Sequence, residues 1–169
     1  MNIIKLHLGC GGFYKEGYVN IDRYASGRFK VDRELDCNVP LDYPDNSAEE
    51  ILLIHSFEHL RKNTLKVVVK SWYNILIPKG KLIIETPNLL VVFHEYMDKS
   101  INEGLKASDE ILEWVYGNQD RDGQYHYWGW SPATLTEFLK EIGFKKVDVL
   151  PVKDDTRPSV LSFRVEAIK

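Results

Sequence analysis

Between Glu50 and Thr86 two short apolar runs, Glu50-Ile51-Leu52-Leu53-Ile54 and Lys81-Leu82-Ile83-Ile84-Glu85-Thr86, flank one amphipathic segment, and no other feature constrains the fold so tightly. Leu65, Val68, Val69, Trp72 and Leu76 recur at helical spacing, and Pro78-Lys79-Gly80 stops that helix before the second run. Short apolar runs bounded by turn residues are what strands buried on both faces look like. The unit is strand, helix, strand, the repeat from which helix-covered parallel sheets are built.

The pattern extends in both directions. Ile3–Leu8, Tyr18–Ile21 and Phe29–Leu35 read as three strands ahead of the unit. Behind it, Ser131 suits a helix N-cap with Pro132 in the first turn. Leu135, Phe138, Leu139 and Ile142 make an apolar stripe, and Gly143 sits where a helix C-terminus favours a left-handed residue. A strand over Phe144–Val152, a polar turn over Lys153–Pro158 and a last strand over Val160–Ile168 follow; a hairpin makes the last one antiparallel. Residues 87–130 form an insertion, with helices expected over Leu89–Met97 and Leu105–Tyr116 and then the aromatic stretch Tyr125-His126-Tyr127-Trp128-Gly129-Trp130. The expected fold is α/β: a seven-stranded, mostly parallel sheet with an antiparallel last strand.

With 169 residues, 44% of them hydrophobic and 28% charged, the chain suits one domain with one continuous core. A formal net charge of -3 supplies no basic face to neutralise phosphates, so a nucleic-acid partner is not expected. Met1-Asn2-Ile3-Ile4-Lys5 runs straight into a strand pattern and no apolar run reaches membrane-spanning length, so neither export nor a membrane partner is expected. Cys10 and Cys37 are too few for a disulfide framework or a four-cysteine zinc site, which suits a reducing cytoplasm.

Leu6-His7-Leu8-Gly9-Cys10-Gly11-Gly12 places three glycines directly after an apolar strand, where missing side chains let backbone pass close to a ligand. Taken alone, such a turn is as often only a tight turn. Two acids sharpen it. Asp22 ends Val19-Asn20-Ile21-Asp22, where α/β nucleotide sites put a carboxylate for the ribose hydroxyls, and Asp36 ends the third strand, where its carboxylate and the next N–H could read an adenine edge. A dinucleotide site fits poorly, because Tyr14 occupies the third-glycine position and Asp22 comes only thirteen residues after Gly9. No Gly-Lys-Ser/Thr phosphate loop occurs. A nucleoside cofactor without a pyrophosphate fits better.

Leu8-Gly9-Cys10-Gly11, Asn20-Ile21-Asp22, Leu41 to Asp45-Asn46-Ser47, His55-Ser56-Phe57-Glu58-His59-Leu60, Leu76 to Leu82 and Phe138 to Phe144 resemble successive blocks of class I S-adenosylmethionine-dependent methyltransferases, in that family's order. The likeness is to short bacterial and phage-type members. It implies a Rossmann-like domain, S-adenosyl-L-methionine as cofactor, Gly9, Cys10 and Gly11 against its methionine part, Asp22 on the ribose, and Asp36 and Cys37 at the adenine. It also implies a small-molecule or sugar acceptor; a homodimer is compatible with it. One departure stands out: too few residues separate the first two strands for a full crossover, so the helix that normally follows the glycine turn is expected to be shortened or lost.

Methyl transfer from a sulfonium needs the nucleophile held in line and, for a hydroxyl or amine, its proton removed. His55, just past the fourth strand, is the first candidate base and belongs among the cofactor-side residues as well. His126, in the aromatic insertion expected to cover the acceptor, is the second. Glu58 and His59 are more simply structural at the strand-to-helix junction. His55-Ser56-Phe57-Glu58-His59 also matches the His-x-x-Glu-His zinc-hydrolase pattern, but that motif must lie inside a helix and here it begins at a strand end, so no metal is assigned. A cofactor-binding module without catalysis is the remaining alternative.

Overall fold

The computed structural model describes residues 3–23, 29–102, 105–153 and 159–169. Seven strands, β1 (Ile4–Leu8), β2 (Val19–Asp22), β3 (Arg33–Glu34), β4 (Ala48–Ile54), β5 (Leu76–Pro87), β6 (Lys146–Leu150) and β7 (Ser162–Ile168), join in the order β3-β2-β1-β4-β5-β7-β6. The pairs among β1 to β5 are parallel, whereas β7 runs antiparallel to both β5 and β6. The mostly parallel sheet with an antiparallel last strand is therefore present.

Helix α1 (Lys62–Ile75) buries Leu65, Val68, Val69 and Trp72 of the stripe read from its spacing, and Ile75 besides. It ends one residue before Leu76, which instead starts β5. Helix α4 (Pro132–Ile142) opens with a reciprocal cap in which Ser131 and Thr134 each bond the other's backbone N–H, a feature worth about 1 kcal/mol. Both helices pack on the face carrying Leu6, Leu8, Ile21, Ile51, Leu53, Leu82, Ile84, Val165 and Ala167. Helices α2 (Leu89–Asn102) and α3 (Leu105–Tyr116) form the insertion and share a smaller cluster of Val92, Ile111 and Leu161.

No helix links β1 to β2: residues 9–18 form turns, as the short spacing implies. One side chain organises that crossover. Asn20, fully buried on β2, gives its amide to the carbonyls of Lys15 and Tyr18 and accepts from the Lys15 N–H at 2.8 Å. Its neighbour on β1, His7, packs edge-on against Tyr18. A polar anchor thus holds the loop that stands where other such sheets carry a helix.

The expected third strand, Phe29–Leu35, pairs only over Arg33–Glu34. The reason lies at Asp32, whose carboxylate accepts from the Asn20 N–H at 2.8 Å and from the Tyr14 hydroxyl at 3.0 Å. The backbone hydrogen bond from Asn20 accordingly lowers the Asp32 pKa, a little burial opposing it. Of the expected Lys153–Pro158 turn, residues 154–158 lie outside the described residues. Among the described residues no helix is long and apolar enough to cross a membrane.

Candidate functional site

The carboxyl ends of β1, β2 and β4 open into a cleft of about 680 Å³. Gly9, Cys10, Gly11, Asp22, Asp36, Cys37 and His55 all line it, so the first six cofactor-side residues and the first candidate base meet in one place. This is where ligands bind in open α/β sheets.

The glycine turn is shaped by close approach. Gly9 takes φ +65°, and a Cβ there would lie 2.5 Å from the Ser56 Cβ. Ser56 donates its hydroxyl to the Leu8 carbonyl at 2.9 Å, which ties the turn after β1 to the turn after β4. The N–H groups of Gly9 and Cys10 both point to the Ile21 carbonyl, and the Gly11 N–H donates to Asp22 Oδ2 at 2.8 Å. Turn and acid are therefore one hydrogen-bonded unit. Asp36 is held by the N–H of Asn38 at 2.8 Å and by Arg23 at 3.8 Å, which leaves it facing the cleft beside Cys37.

Burial, with Asp22 adding repulsion, pushes both the Cys10 and the Cys37 thiols up to about 12. A raised value means less thiolate at any pH below it, and only the thiolate is nucleophilic. The native protein should therefore react with iodoacetamide at pH 8 about a thousandfold more slowly than its unfolded chain, and faster as the pH climbs toward 12. Mass spectrometry of the alkylated peptides measures this; equal rates in native and unfolded protein would show that the thiols are not buried as described.

His55 directly follows β4 with φ +47°, a left-handed conformation uncommon outside glycine, and such strain concentrates at functional sites. Its Nδ1 lies 3.4 Å from Glu58 Oε1, and its ring meets Trp114 edge-on. Glu58, 2% exposed, sits on a 3-10 turn over Phe57–His59 and accepts from the Thr86 hydroxyl at 3.1 Å. Burial opposes its ionisation, but the contact with His55 and the charges of His59, His55 and His126 outweigh it and hold the carboxyl down to about 2. The segment is not α-helical, so the zinc-hydrolase geometry of His55 with His59 is not formed.

His126 does not line the cleft. It stands one layer back, its ring 4.7 Å from that of His59. Sequence reasoning missed Arg61, Arg121, Asp122, Gly123 and Gln124, which line the cleft together with Tyr127. Asp122-Gly123 signals a turn in the sequence, but nothing local says where that turn folds to. On α1, Lys62 lies 4.0 Å from the Trp128 ring centre and Lys70 donates to the Ile142 carbonyl at 3.0 Å.

No protein-family model matches the chain, and no curated protein matches it in sequence. Solved structures do match it in shape. A SAM dependent methyltransferase from Archaeoglobus fulgidus aligns with 99% of this chain and 86% of its own, at TM-score 0.64 and 16% identity. The Burkholderia thailandensis 1,6-didemethyltoxoflavin-N1-methyltransferase, solved with 1,6-didemethyltoxoflavin and S-adenosylhomocysteine bound, aligns over 99% and 71%, at TM-score 0.60 and 15% identity. The citrinin polyketide synthase CMeT domain aligns with 98% of this chain at TM-score 0.61 and 16% identity, but the chain spans only 46% of its length. The chain has the Rossmann-like α/β fold of the class I SAM-dependent methyltransferases.

Proposed function

We propose that this protein is an S-adenosylmethionine-dependent methyltransferase acting on a hydroxyl or amine of a small molecule or sugar. The observation that carries this reading is the convergence of the Gly9–Gly11 turn, Asp22, Asp36 and His55 on one cleft at the carboxyl rim of the sheet. The residues present fit the cofactor. A bare glycine backbone makes room at the methionine end, Asp22 offers a carboxylate to the ribose hydroxyls, and Asp36 with Cys37 flanks the adenine end. Matching folds among SAM-dependent methyltransferases support the same reading.

When bound, the cofactor supplies a methyl group on a positively charged sulfur, open to in-line displacement. The chain's own task is to hold the acceptor behind that methyl group, exclude water and remove a proton. His55 lines the cleft and is backed by the ionised Glu58, which would steady a ring that has taken the acceptor's proton. The aromatic segment, through Tyr127, adds to the wall of the cleft.

Calorimetric titration of S-adenosylmethionine and S-adenosylhomocysteine tests the reading, followed by transfer of a radiolabelled methyl group to hydroxyl and amine acceptors. Saturable binding of both and transfer to one acceptor class are expected, with transfer slowed about 10²–10⁴-fold by His55→Ala at little cost to cofactor affinity. Absence of cofactor binding overturns the proposal, and binding without transfer marks a binding module.

A further inference from the structure

Three groups in the wall of the cleft, of which His59 lines it, are arranged in a way that methyl transfer by itself does not require. Glu58, His59 and His126 each bring one ligand atom to within 4.8 Å of the other two. Each is also oriented by a partner of its own. His59 Nδ1 lies 3.0 Å from the Tyr125 carbonyl and His126 Nδ1 lies 3.0 Å from the Trp114 carbonyl. A carbonyl only accepts, so in the neutral rings both Nδ1 atoms carry the hydrogen and both Nε2 atoms carry the lone pair. Glu58 receives the Thr86 hydroxyl on Oε2, while its buried Oε1 makes no hydrogen bond among the described residues and lies 3.4 Å from His55 Nδ1.

We propose that Glu58, His59 and His126 form a three-ligand site for a divalent transition-metal ion, set in the wall of the cleft and reached from it at His59. Donation of the remaining ring N–H to a backbone carbonyl is what fixes metal-binding imidazoles, and both rings show it. Two imidazoles and one carboxylate suit zinc, iron, cobalt or nickel, and three protein ligands leave a position open. Ligands on a tetrahedral ion stand about 3.3 Å apart, so closing this set takes only small side-chain rotations. The pairing differs from the sequence pattern: His59 joins His126 from the insertion, not His55.

Taken with the methyl-transfer reading, on which this step alone rests, the open position selects the acceptor. An amine bound to the ion would use the lone pair it needs for attack, whereas a hydroxyl oxygen keeps another. The ion makes the O–H proton easier to lose. That proton passes to His55, the oxygen bonds to the methyl carbon, and the carbon–sulfur bond breaks with its electron pair going to sulfur. The site therefore takes a hydroxyl acceptor.

Chelator-treated full-length protein titrated with Co²⁺ alone provides the test. One equivalent should bind, giving visible cobalt bands without a thiolate-to-cobalt charge-transfer band. His126→Ala and Glu58→Gln should each weaken binding at least about tenfold. Thermal unfolding of the metal-free variants checks that they remain folded. No saturable uptake by the wild type, a charge-transfer band placing the ion on Cys10 or Cys37, or wild-type affinity in a folded variant overturns the site. S-adenosylhomocysteine titrated into the same metal-free protein separates the two ideas. Its binding without cobalt uptake removes only the metal, and cobalt uptake without it removes only the methyl-transfer reading.

Discussion

Asp22→Ala should reduce affinity for S-adenosylhomocysteine by about 10²–10³-fold while leaving the protein folded. The carboxylate faces two tasks at once. It accepts the Gly11 N–H at 2.8 Å, which fixes the glycine turn, and it faces the cleft where ribose hydroxyls would donate to it. Hydrogen bonds to a charged group contribute about 1.5–3 kcal/mol each, so losing two in the lower part of that range costs roughly 3–4 kcal/mol of binding. The fold should tolerate the change because β2 pairs through backbone Val19 to Ile21 on one side and the backbone of Ile21 and Asp22 on the other. Calorimetry measures the affinity and circular dichroism the fold. Wild-type affinity in a folded Asp22→Ala protein would remove this residue from the ribose site. Asp22→Asn keeps the Gly11 bond and should fall in between, which separates the loss of the turn from the loss of charge.

How much of this was legible in the sequence depends on how local each signal is. The apolar runs at Leu6–Leu8, Ile51–Ile54 and Leu82–Ile84 became strands because burial on both faces selects uniform apolar character. Helices α1 and α4 were legible from stripe, cap and Gly143, since each element carries its own period and punctuation. The convergence of Gly9, Asp22 and Asp36 on one cleft was legible too, because they mark strand ends, and the order of parallel strands brings those ends to one rim. Strand β3 was overestimated, since its apolar residues suggested a length that Asp32 cuts short by binding β2 with a side chain. The partnership of Glu58 and His59 with His126 was not legible at all. Those residues are distant in sequence, and only the return of the insertion, through the N–H of Tyr127 to the Glu58 carbonyl at 2.9 Å, brings them together.

The face of the sheet away from α1 and α4 shows the same limit more sharply, because polar residues hide there inside runs that read as apolar. Leu82-Ile83-Ile84 leads into Glu85, which alternation puts on the face away from α1 and α4, opposite Arg164 on β7. Glu85 is 0% exposed and its Oε1 accepts from the Arg164 guanidinium and, at 3.3 Å, from the Lys153 N–H. Arg164 also grips Glu166 through Nε at 3.0 Å and Nη2 at 2.9 Å, and Glu166 reaches Lys81 at 3.5 Å. A buried pair of this kind adds little over apolar residues of similar volume, but breaking it leaves an uncompensated charge.

Arg164→Ala should accordingly destabilise the protein by about 3–5 kcal/mol, which at this chain length lowers the unfolding midpoint by roughly 6–20 °C. The desolvation that Glu85 suffered on folding is then no longer offset, and the strand pair β5–β7 that it joins lies inside the sheet, between β4 and β6. Removing both charges tells a different story. Glu85→Leu combined with Arg164→Met takes away the stranded carboxylate along with its partner, and should recover most of the loss because the pair itself contributes little net stability. Thermal unfolding of the single and double variants measures the coupling directly. A single variant as stable as the wild type would mean that water reaches Glu85. A double variant no better than the single one would mean that Arg164 acts mainly through Glu166, and the role assigned to the Glu85 pair would pass to the rim of that face.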